Sequence, residues 1–318
     1  MKYVISLRKG LDTILENPTV RLLGENIRDP FGGAFKATRG LCLKHDDKII
    51  DTPVSEAGFT GFAIGMSLVG YKPIIEIMFA DFATLIVDQI VNGISKMKNM
   101  WRLEDGPSLL IRMPVGGRRG YGPTHSQNTE TLFMGWPGIQ IFSCSYLHVP
   151  EYELPRVFEE PGVKFFLEPK LEYDQELERP DTWYEGTWDH TWSVKRKTGF
   201  QYCGRPVILT HGPSVRMAVE VAQEIGAVVL APLRIYPLDL SKLKEMVRRF
   251  DPERKRLVIL EESYRCYGWG SMISRYMEGF NVELVGALNV PIPASRERED
   301  SVLPSKSEIR HVVEALNE

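Results

Sequence analysis

Residues 51–82, DTPVSEAGFTGFAIGMSLVGYKPIIEIMFADF, constrain the fold of this chain more than any other segment. They place one carboxylate, Glu56, after a short apolar strand and before a helix rich in glycine. A second apolar strand, Ile74–Met78, leads to two aromatic residues, Phe79 and Phe82. An acid and aromatic rings at adjacent strand ends suit a flat heteroaromatic cofactor, whose ring nitrogen bonds the acid while a ring face stacks. A glutamate beside phenylalanines is also often a satisfied acid of the core, so this segment alone leaves both interpretations open.

Composition and charge exclude several classes of protein. The 318 residues carry 39 Lys and Arg against 42 Asp and Glu, and the net charge of −3 gives no footprint for nucleic acid or a membrane surface. The cysteines are too far apart for a zinc site or a disulfide framework: Cys42, Cys144, Cys203 and Cys266. The first residues contain too short an apolar run for a signal peptide, and no window approaches a membrane span. We therefore expect a cytoplasmic protein with no metal site of its own.

Apolar strands alternate with amphipathic helices along the chain, which predicts α/β architecture with parallel sheets. We predict a first domain, a doubly wound parallel sheet, over residues 1–175, and a second α/β domain over residues 203–318. Residues 176–202 are polar and aromatic without a clear period, and we interpret them as a linker.

The sequence also predicts the local structure of two helical segments and one loop. Gly58–Val69 has helical spacing of its apolar residues, with small residues such as Gly61 and Gly65 on one side. Small residues allow close backbone packing, either across a subunit interface or within the chain, and the sequence leaves both open. Phe82–Met100 predicts one long helix, and the Gly- and Pro-rich run Pro114–His125 predicts a loop after a strand.

Nine short motifs then follow one another in a fixed order. They are GENIRDPFGGAFKATRGL (24–41), DTPVSEAGFTGFAIGMSLVG (51–70), EIMFADF (76–82), DQIVN (88–92), THSQNTE (124–130), WPGIQI (136–141), FLEPK (166–170), LRIYPLD (233–239) and VPIPASRERE (290–299). Each motif is weak alone, but their common order is specific. Through them the chain resembles, over nearly its whole length, the beta subunit of the thiamine-diphosphate-dependent decarboxylating component of 2-oxoacid dehydrogenases, of the pyruvate and branched-chain types.

The resemblance implies a pyrimidine-binding first domain, a transketolase-type C-terminal domain and an alpha-type partner in an α2β2 heterotetramer. The sequence has no GDG followed some 25–30 residues later by Asn, the family motif that binds magnesium and the diphosphate. Thiamine diphosphate would therefore be shared with the partner subunit, which would bind Mg2+. The resemblance also implies a possible lipoyl acyltransferase core as a further partner, and a possible structural K+ near Leu109 and Leu110.

The resemblance assigns roles to residues at the cofactor. Glu56 matches the glutamate that bonds the aminopyrimidine ring and favours its imino tautomer, which activates the thiazolium carbon. Phe82 matches the aromatic that stacks on the pyrimidine. Val54, placed on the same strand face as Glu56 by the period of two, and Met78 occupy further cofactor-contact positions. Met78 departs from the glutamine of branched-chain members and removes a donor near the ring.

Three further positions are assigned through the same motifs. His125 matches the histidine at the substrate end of the cofactor, where it assists acyl transfer. Glu25 matches an acid near the tunnel between paired active sites, a possible proton relay, although Asn26 stands where a second acid is frequent. Arg118 and Arg119 share the loop of His125, and a substrate carboxylate, the alpha subunit and solvent all remain open as their partners.

The interpretation favoured by these residues is an enzyme subunit that performs oxidative decarboxylation of a 2-oxoacid with acyl transfer to a lipoyl group. One alternative keeps the cofactor in a biosynthetic carboligase, decarboxylase or acyl or ketol transferase without a lipoyl acceptor. Another is a non-catalytic scaffold that retains the fold, since fold does not fix function.

Overall fold

A computed structural model describes residues 1–177, 183–184, 192–195 and 204–316. The chain divides into two compact units, the first comprising residues 1–115 and 132–177 and the second residues 116–131 and 178–318. The loop that carries His125 therefore belongs to the second unit, although its sequence interrupts the first. Most of the predicted linker 176–202 lies outside the described residues, and the predicted boundaries at 175 and 203 stay predictions.

The first unit is built on six parallel strands. They are β1 (Val20–Gly24), β2 (Ile49–Asp51), β3 (Lys72–Glu76), β4 (Leu109–Val115), β5 (Ile139–Ser143) and β6 (Val163–Pro169), in the spatial order β5-β6-β4-β3-β1-β2. The helices are α1 (Tyr3–Leu15), α2 (Cys42–His45), α3 (Glu56–Leu68), α4 (Ser95–Met100) and α5 (Pro150–Glu159). The strands are largely buried and rich in apolar residues because both faces of a parallel sheet are covered. The prediction of parallel α/β architecture is confirmed.

The second unit has a mixed sheet. The six strands of this sheet are β7 (Trp183–Tyr184), β8 (Trp192–Lys195), β9 (Val207–Thr210), β10 (Val228–Pro232), β12 (Arg256–Tyr264) and β13 (Asn281–Ala287). The unit also contains the short strand β11 (Arg234–Tyr236), which is not part of this sheet. The order β13-β12-β9-β10 is parallel, and β8 and β7 continue it antiparallel. Its helices are α6 (Val215–Ile225), α7 (Leu240–Phe250), α8 (Trp269–Ser274), α9 (Arg296–Glu299) and α10 (Lys306–Ala315). No helix in the described part of the chain is long and apolar enough to span a membrane.

The segment predicted as one long helix over Phe82–Met100 is helical but not uniform. A 3-10 helix over Ala80–Ile86 is followed by a π-helical turn over Gln89–Ile94, and only then by α4. Gly93 has non-helical backbone angles (φ −91°, ψ −105°), which places a kink before α4. Because apolar spacing reports only which side is buried, it did not distinguish these helical forms.

A buried ion cluster lies near the carboxyl ends of three strands in the first unit. Arg112 of β4 donates to both oxygens of Glu168 on β6, at 2.7 and 2.8 Å, and to Glu76 of β3 at 2.8 Å. The Tyr173 hydroxyl donates to Glu168 at 2.6 Å. Arg112 is 1% exposed, so the fork of its guanidinium is held in a place that water does not reach.

The pKa values show what this burial does. Burial raises the pKa of Glu76, and the positive charge of Arg112 opposes that rise. Burial, followed by the charge of Glu168, raises the pKa of Tyr173. The backbone also adapts to the cluster, because Gly33 has φ +79° and a Cβ there would lie 2.9 Å from the Glu76 carboxylate. The cluster therefore fixes the sheet edge from which β3 leads into Met78 and Phe79.

We predict that Arg112→Leu lowers the free energy of unfolding by about 3–5 kcal/mol, because two acids would be left buried without a cation. Lys9→Leu is the control, since Lys9 is about half exposed and pairs with Glu151 at 3.6 Å. That change should cost less than about 1 kcal/mol. Urea-induced unfolding of both variants measures the difference. Equal, small losses in the two variants would contradict a structural role for the cluster.

Candidate active site

The register of β1, β2 and β3 brings two acids to one edge of the first unit's sheet. Gly24, the last residue of β1, lies opposite Asp51 of β2 and Glu76 of β3. Glu25 follows Gly24 directly, and Glu56 is the first residue of α3, shortly after β2. Carboxyl ends of parallel strands are where α/β proteins bind ligands. The arrangement agrees with the edge position predicted for Glu56.

Glu25 and Glu56 form a buried pair of acids, each 7% exposed. Burial raises the pKa of Glu25, the negative charge of Glu56 raises it further, and the backbone N–H of Ser55 donates to Glu25 and opposes both. Oε1 of Glu25 is buried and has no hydrogen-bond partner among the described residues. Two like charges close together without a cation favour a shared proton or a ligand that donates hydrogen bonds.

The aromatic residues after β3 form a chain of ring contacts. Phe79 and Phe82 meet edge to face at 5.8 Å between ring centroids, and Phe35 meets Phe79 at 5.6 Å. Phe35 in turn stacks on Tyr173 at 4.9 Å. Met78, Phe79 and Phe82 are half-buried, so part of each side chain is accessible. A half-buried ring held by its neighbours presents a stable surface for stacking.

The structure corrects two local expectations for cofactor contacts. Val54 is 82% exposed and lies in the loop between β2, which ends at Asp51, and α3. The period-of-two argument for Val54 is therefore wrong, because this residue is not in a strand. Met78 lies two residues beyond the end of β3, not in the strand as predicted. The cofactor contacts of Val54 and Met78 stay predictions.

α3 exposes a face that none of the described residues covers. A Cβ built on Gly61 or on Gly65 would meet no atom within 4 Å. Phe62, on the same helix, is 59% exposed, and Val54 just before it is also exposed. Of the two explanations left open by the sequence, close packing within the chain therefore does not account for these glycines in the described part of the structure.

His125 lies in the second unit and is half-exposed. The Thr124 hydroxyl is 2.9 Å from Nδ1 of His125. Glu56 and His125 thus belong to different units.

Arg118, on the same loop, has partners that the sequence did not indicate. Its guanidinium donates to Glu262 at 3.1 Å, to Asp300 and to the carbonyl oxygen of Pro304, all within the second unit. Other residues of the second unit, and not solvent, are therefore the main partners of Arg118. These partners are so distant in sequence that the residues around Arg118 could not predict them. Arg119 donates to the Tyr121 hydroxyl at 3.3 Å.

The structure also reveals a buried titratable cluster to which the sequence gave no role. Glu130, His211 and Glu261 are each at most 3% exposed, and their ligand-type atoms lie within 4.8 Å of one another. Both oxygens of Glu261 accept backbone N–H groups of the first turn of α8, from Trp269 at 2.8 Å and Gly270 at 2.7 Å. Glu261 thus stabilises the N-terminus of α8 through these two hydrogen bonds.

Burial dominates the protonation of this cluster. It raises the pKa of Glu261 to about 8, with a further contribution from the charge of Glu130. It also raises the pKa of Glu130 and lowers the pKa of His211 to about 3. Around neutral pH Glu261 is therefore largely protonated and the imidazole of His211 is uncharged.

Strands β4 and β6 bear on the predicted potassium site. Leu110 pairs with Ile74 on one side and Lys164 on the other, in the middle of the sheet. The backbone of Leu110 is thus paired with a strand on each side. Nothing in the structure tests potassium binding near Leu109 and Leu110, which stays a prediction.

The comparisons with known proteins identify the family. Residues 7–175 match the family described as "Transketolase, pyrimidine binding domain", and the chain belongs to this family. The acetoin:2,6-dichlorophenolindophenol oxidoreductase subunit beta of Cupriavidus necator is 29% identical over 96% of this chain and 94% of its own length. The pyruvate dehydrogenase E1 component subunit beta of Rickettsia felis is 26% identical over 98% of both chains.

A solved structure supports the fold independently. The chain is similar to a protein described as "Split gene transketolase, inactive beta4 tetramer", with a TM-score of 0.74, 18% identity and coverage of 98% of this chain and 96% of that one. The family match and the relatives named above confirm the resemblance inferred from the nine motifs. The family match and this structure confirm a transketolase-type fold with two domains.

We predict that His211→Phe flattens the acid side of the stability profile. The folded-state pKa of His211, about 3, lies below its ordinary value of 6.5, so its contribution is present above pH 6.5 and is lost as pH falls toward 3. In the wild type the His211 ring meets Trp269 edge to face at 4.8 Å between ring centroids. A phenylalanine ring should retain this contact, but it does not titrate. Between pH 6.5 and 4 the wild type should lose up to about 1.4 kcal/mol per pH unit more than the variant.

Thermal unfolding of wild type and variant at several pH values measures this difference. Glu261 acts in the opposite direction in both proteins, because a carboxyl pKa raised to about 8 gives stability that is lost as pH rises from 4.5 through 8. It therefore cancels in the comparison. Parallel acid profiles for the two proteins would show that His211 is not a buried neutral imidazole.

Proposed function

We propose that this chain is the beta-type subunit of a thiamine-diphosphate-dependent 2-oxoacid dehydrogenase, which is active only with an alpha-type partner. The observation that carries the proposal is the buried Glu25–Glu56 pair at a strand edge of a pyrimidine-binding family member. The relatives named above, a pyruvate dehydrogenase E1 beta subunit among them, support the reaction class.

The residues of the first unit fit the aminopyrimidine part of thiamine diphosphate. Glu56 supplies a buried carboxyl group, the open Oε1 of Glu25 offers a further acceptor, and Phe82 offers a half-buried ring. When bound, the cofactor would supply a carbon nucleophile for attack on the substrate carbonyl. Glu56 would bond the pyrimidine nitrogen and hold its proton, while Phe82 would stack on the ring and Met78 and Val54 would contact it.

Other groups complete the proposed reaction. His125 would hold or release a proton at the substrate end, and Glu25 would be part of a proton relay. Mg2+ and the diphosphate would be bound by the alpha-type partner, since the sequence contains no GDG motif. Acyl transfer to a lipoyl group of an acyltransferase core, a structural K+ and a cytoplasmic location complete the proposal.

The exposed glycines of α3 support a partner chain. Glycine in a helix costs roughly 1 kcal/mol relative to alanine, and the described residues of this chain offer no compensating contact at Gly61 or Gly65. Close approach of a second backbone would compensate that cost. We infer that this face lies against another subunit of an α2β2 assembly, where an active site shared between chains would form.

We predict that Gly61→Leu and Gly65→Leu leave the isolated chain folded but prevent its assembly with the alpha-type partner. Each new side chain points into open space in one chain but would hold a second backbone away. Ala315→Leu, at an exposed position of α10, is the control for adding an apolar side chain to a helix. Co-purification and light scattering measure assembly. Normal assembly of both glycine variants would exclude this face as the subunit contact.

A second candidate function uses a different substrate or acceptor. The acetoin oxidoreductase subunit is 29% identical to this chain, and acetoin is not a 2-oxoacid. Met78, moreover, removes a polar group at a cofactor-contact position. The substrates tested should therefore include acetoin, pyruvate and branched-chain 2-oxoacids. A biosynthetic carboligase or acyl or ketol transferase would show carbon–carbon bond formation without dye reduction.

We predict that the complex of this chain with its alpha-type partner reduces a dye in the presence of a 2-oxoacid, and that Glu56→Gln lowers kcat by about 100-fold or more. The amide keeps the shape of the side chain but cannot act as the acid. Glu104→Gln, an exposed acid of the same unit, is the control and should leave kcat unchanged.

Each outcome of that assay distinguishes the candidates. Turnover with acetoin alone would favour the second candidate. Intact thiamine diphosphate binding with no turnover of any of these substrates would remove the dehydrogenase proposal. Undiminished activity of Glu56→Gln would instead support a non-catalytic role for this subunit.

A further inference from the structure

The loop Gly116–Thr131, which carries His125, has little regular structure of its own. Gly116, Arg118, Gly120 and Gly122 all have positive φ, between +69° and +95°, and only a single 3-10 turn begins at Glu130. A chain in such a conformation is not held by a backbone ladder. Its shape must therefore be set by side chains from elsewhere in the second unit.

Two buried acids of the second unit hold this loop at different points. Glu262, on β12, accepts the backbone N–H of Gly117 at 3.0 Å and the Arg118 guanidinium. These contacts fix the beginning of the loop, where it leaves β4.

Glu299 holds the part of the loop that contains His125. It is the last residue of α9 and is fully buried. Its Oε2 accepts the backbone N–H of Gly120 at 2.9 Å, and its Oε1 accepts the Ser126 hydroxyl at 2.8 Å. One carboxylate thus joins the two ends of the segment 120–126, which contains His125.

We propose that Glu299 is the positioning residue for His125. This inference rests on the role proposed above for His125, and it adds a residue about which sequence reasoning gave no expectation. Ser126 is the immediate neighbour of His125, so its hydrogen bond to Glu299 fixes the backbone from which the imidazole projects. A misplacement of about 1 Å at a reacting group lowers rates by about 100-fold, so a loss of this hold should be visible in turnover.

The test compares three variants of the full chain in complex with its alpha-type partner. Glu299→Leu removes both acceptors with little change in volume. Glu299→Gln retains both contacts, because its carbonyl accepts from Gly120 and its amide donates to the Ser126 oxygen. Glu297→Leu, an exposed acid on the same short helix, is the control.

We predict that Glu299→Leu lowers kcat about 100-fold with a change in KM of less than about 3-fold. Glu299→Gln should stay within about 10-fold of the wild type, and Glu297→Leu should equal it. Hydrogen exchange of residues 116–131 should be faster in Glu299→Leu by about 10-fold, with residues 240–250 unchanged as a check that the unit remains folded.

The two readouts separate this inference from the proposed function. If the wild type turns over none of the substrates, the proposed function fails, and the exchange of the loop still tests the hold of Glu299. Unchanged exchange of the loop in Glu299→Leu would overturn the inference. So would kcat within about 3-fold of the wild type, because a purely structural contact would accelerate exchange without slowing turnover.

Discussion

The guanidinium of Arg112 is the interaction on which the first unit depends. It joins β3, β4 and β6 through Glu76 and Glu168 and lies where three strands approach their carboxyl ends. Burial of a charge is tolerated only if its donors are matched, and here the planar fork meets two carboxylates and leaves little unsatisfied. A lysine would supply one point of charge where the site needs a bidentate donor. The positions of the residues that follow β3, including Met78 and Phe82, are set by this pairing.

The candidate cofactor site shows the opposite use of buried charge. Arg112 compensates its two acids, whereas burial, and after it the negative charge of Glu56, raises the pKa of Glu25. Such a pair destabilises the isolated chain unless a proton or a donor relieves it. A proton on one of the two carboxyl groups relieves the repulsion, and that protonated group can donate to an aromatic ring nitrogen, which accepts. One unit therefore contains both a compensated cluster that supports the sheet and an uncompensated pair at its edge.

The sequence predicted those features that depend on local spacing, and missed those that depend on long-range pairing. The alternation of apolar strands and helices predicted the parallel α/β architecture, and Glu56 was expected between a short strand and a helix, where it lies. Phe82 was expected at a strand end, but it lies within the 3-10 helix that follows β3. Arg112 and Glu168, by contrast, are 56 positions apart, and nothing in either neighbourhood indicates the partner. The helix α5 was missed because Pro150 and Pro155 hide its amphipathic pattern, although Pro150 at its first position is compatible with a helix.

The loop Gly116–Thr131 shows that the two units are not continuous segments of the sequence. The chain leaves β4 of the first unit at Val115, contributes its histidine to the second unit and returns to the first at Leu132. The conformation of this loop is set by Glu262 and Glu299, which the sequence places far downstream. Substitutions in the C-terminal part of the chain therefore act on a motif that lies inside the pyrimidine-binding family match. The role proposed for His125 therefore depends on side chains outside that match, because the loop has too many glycines with positive φ to hold a shape alone.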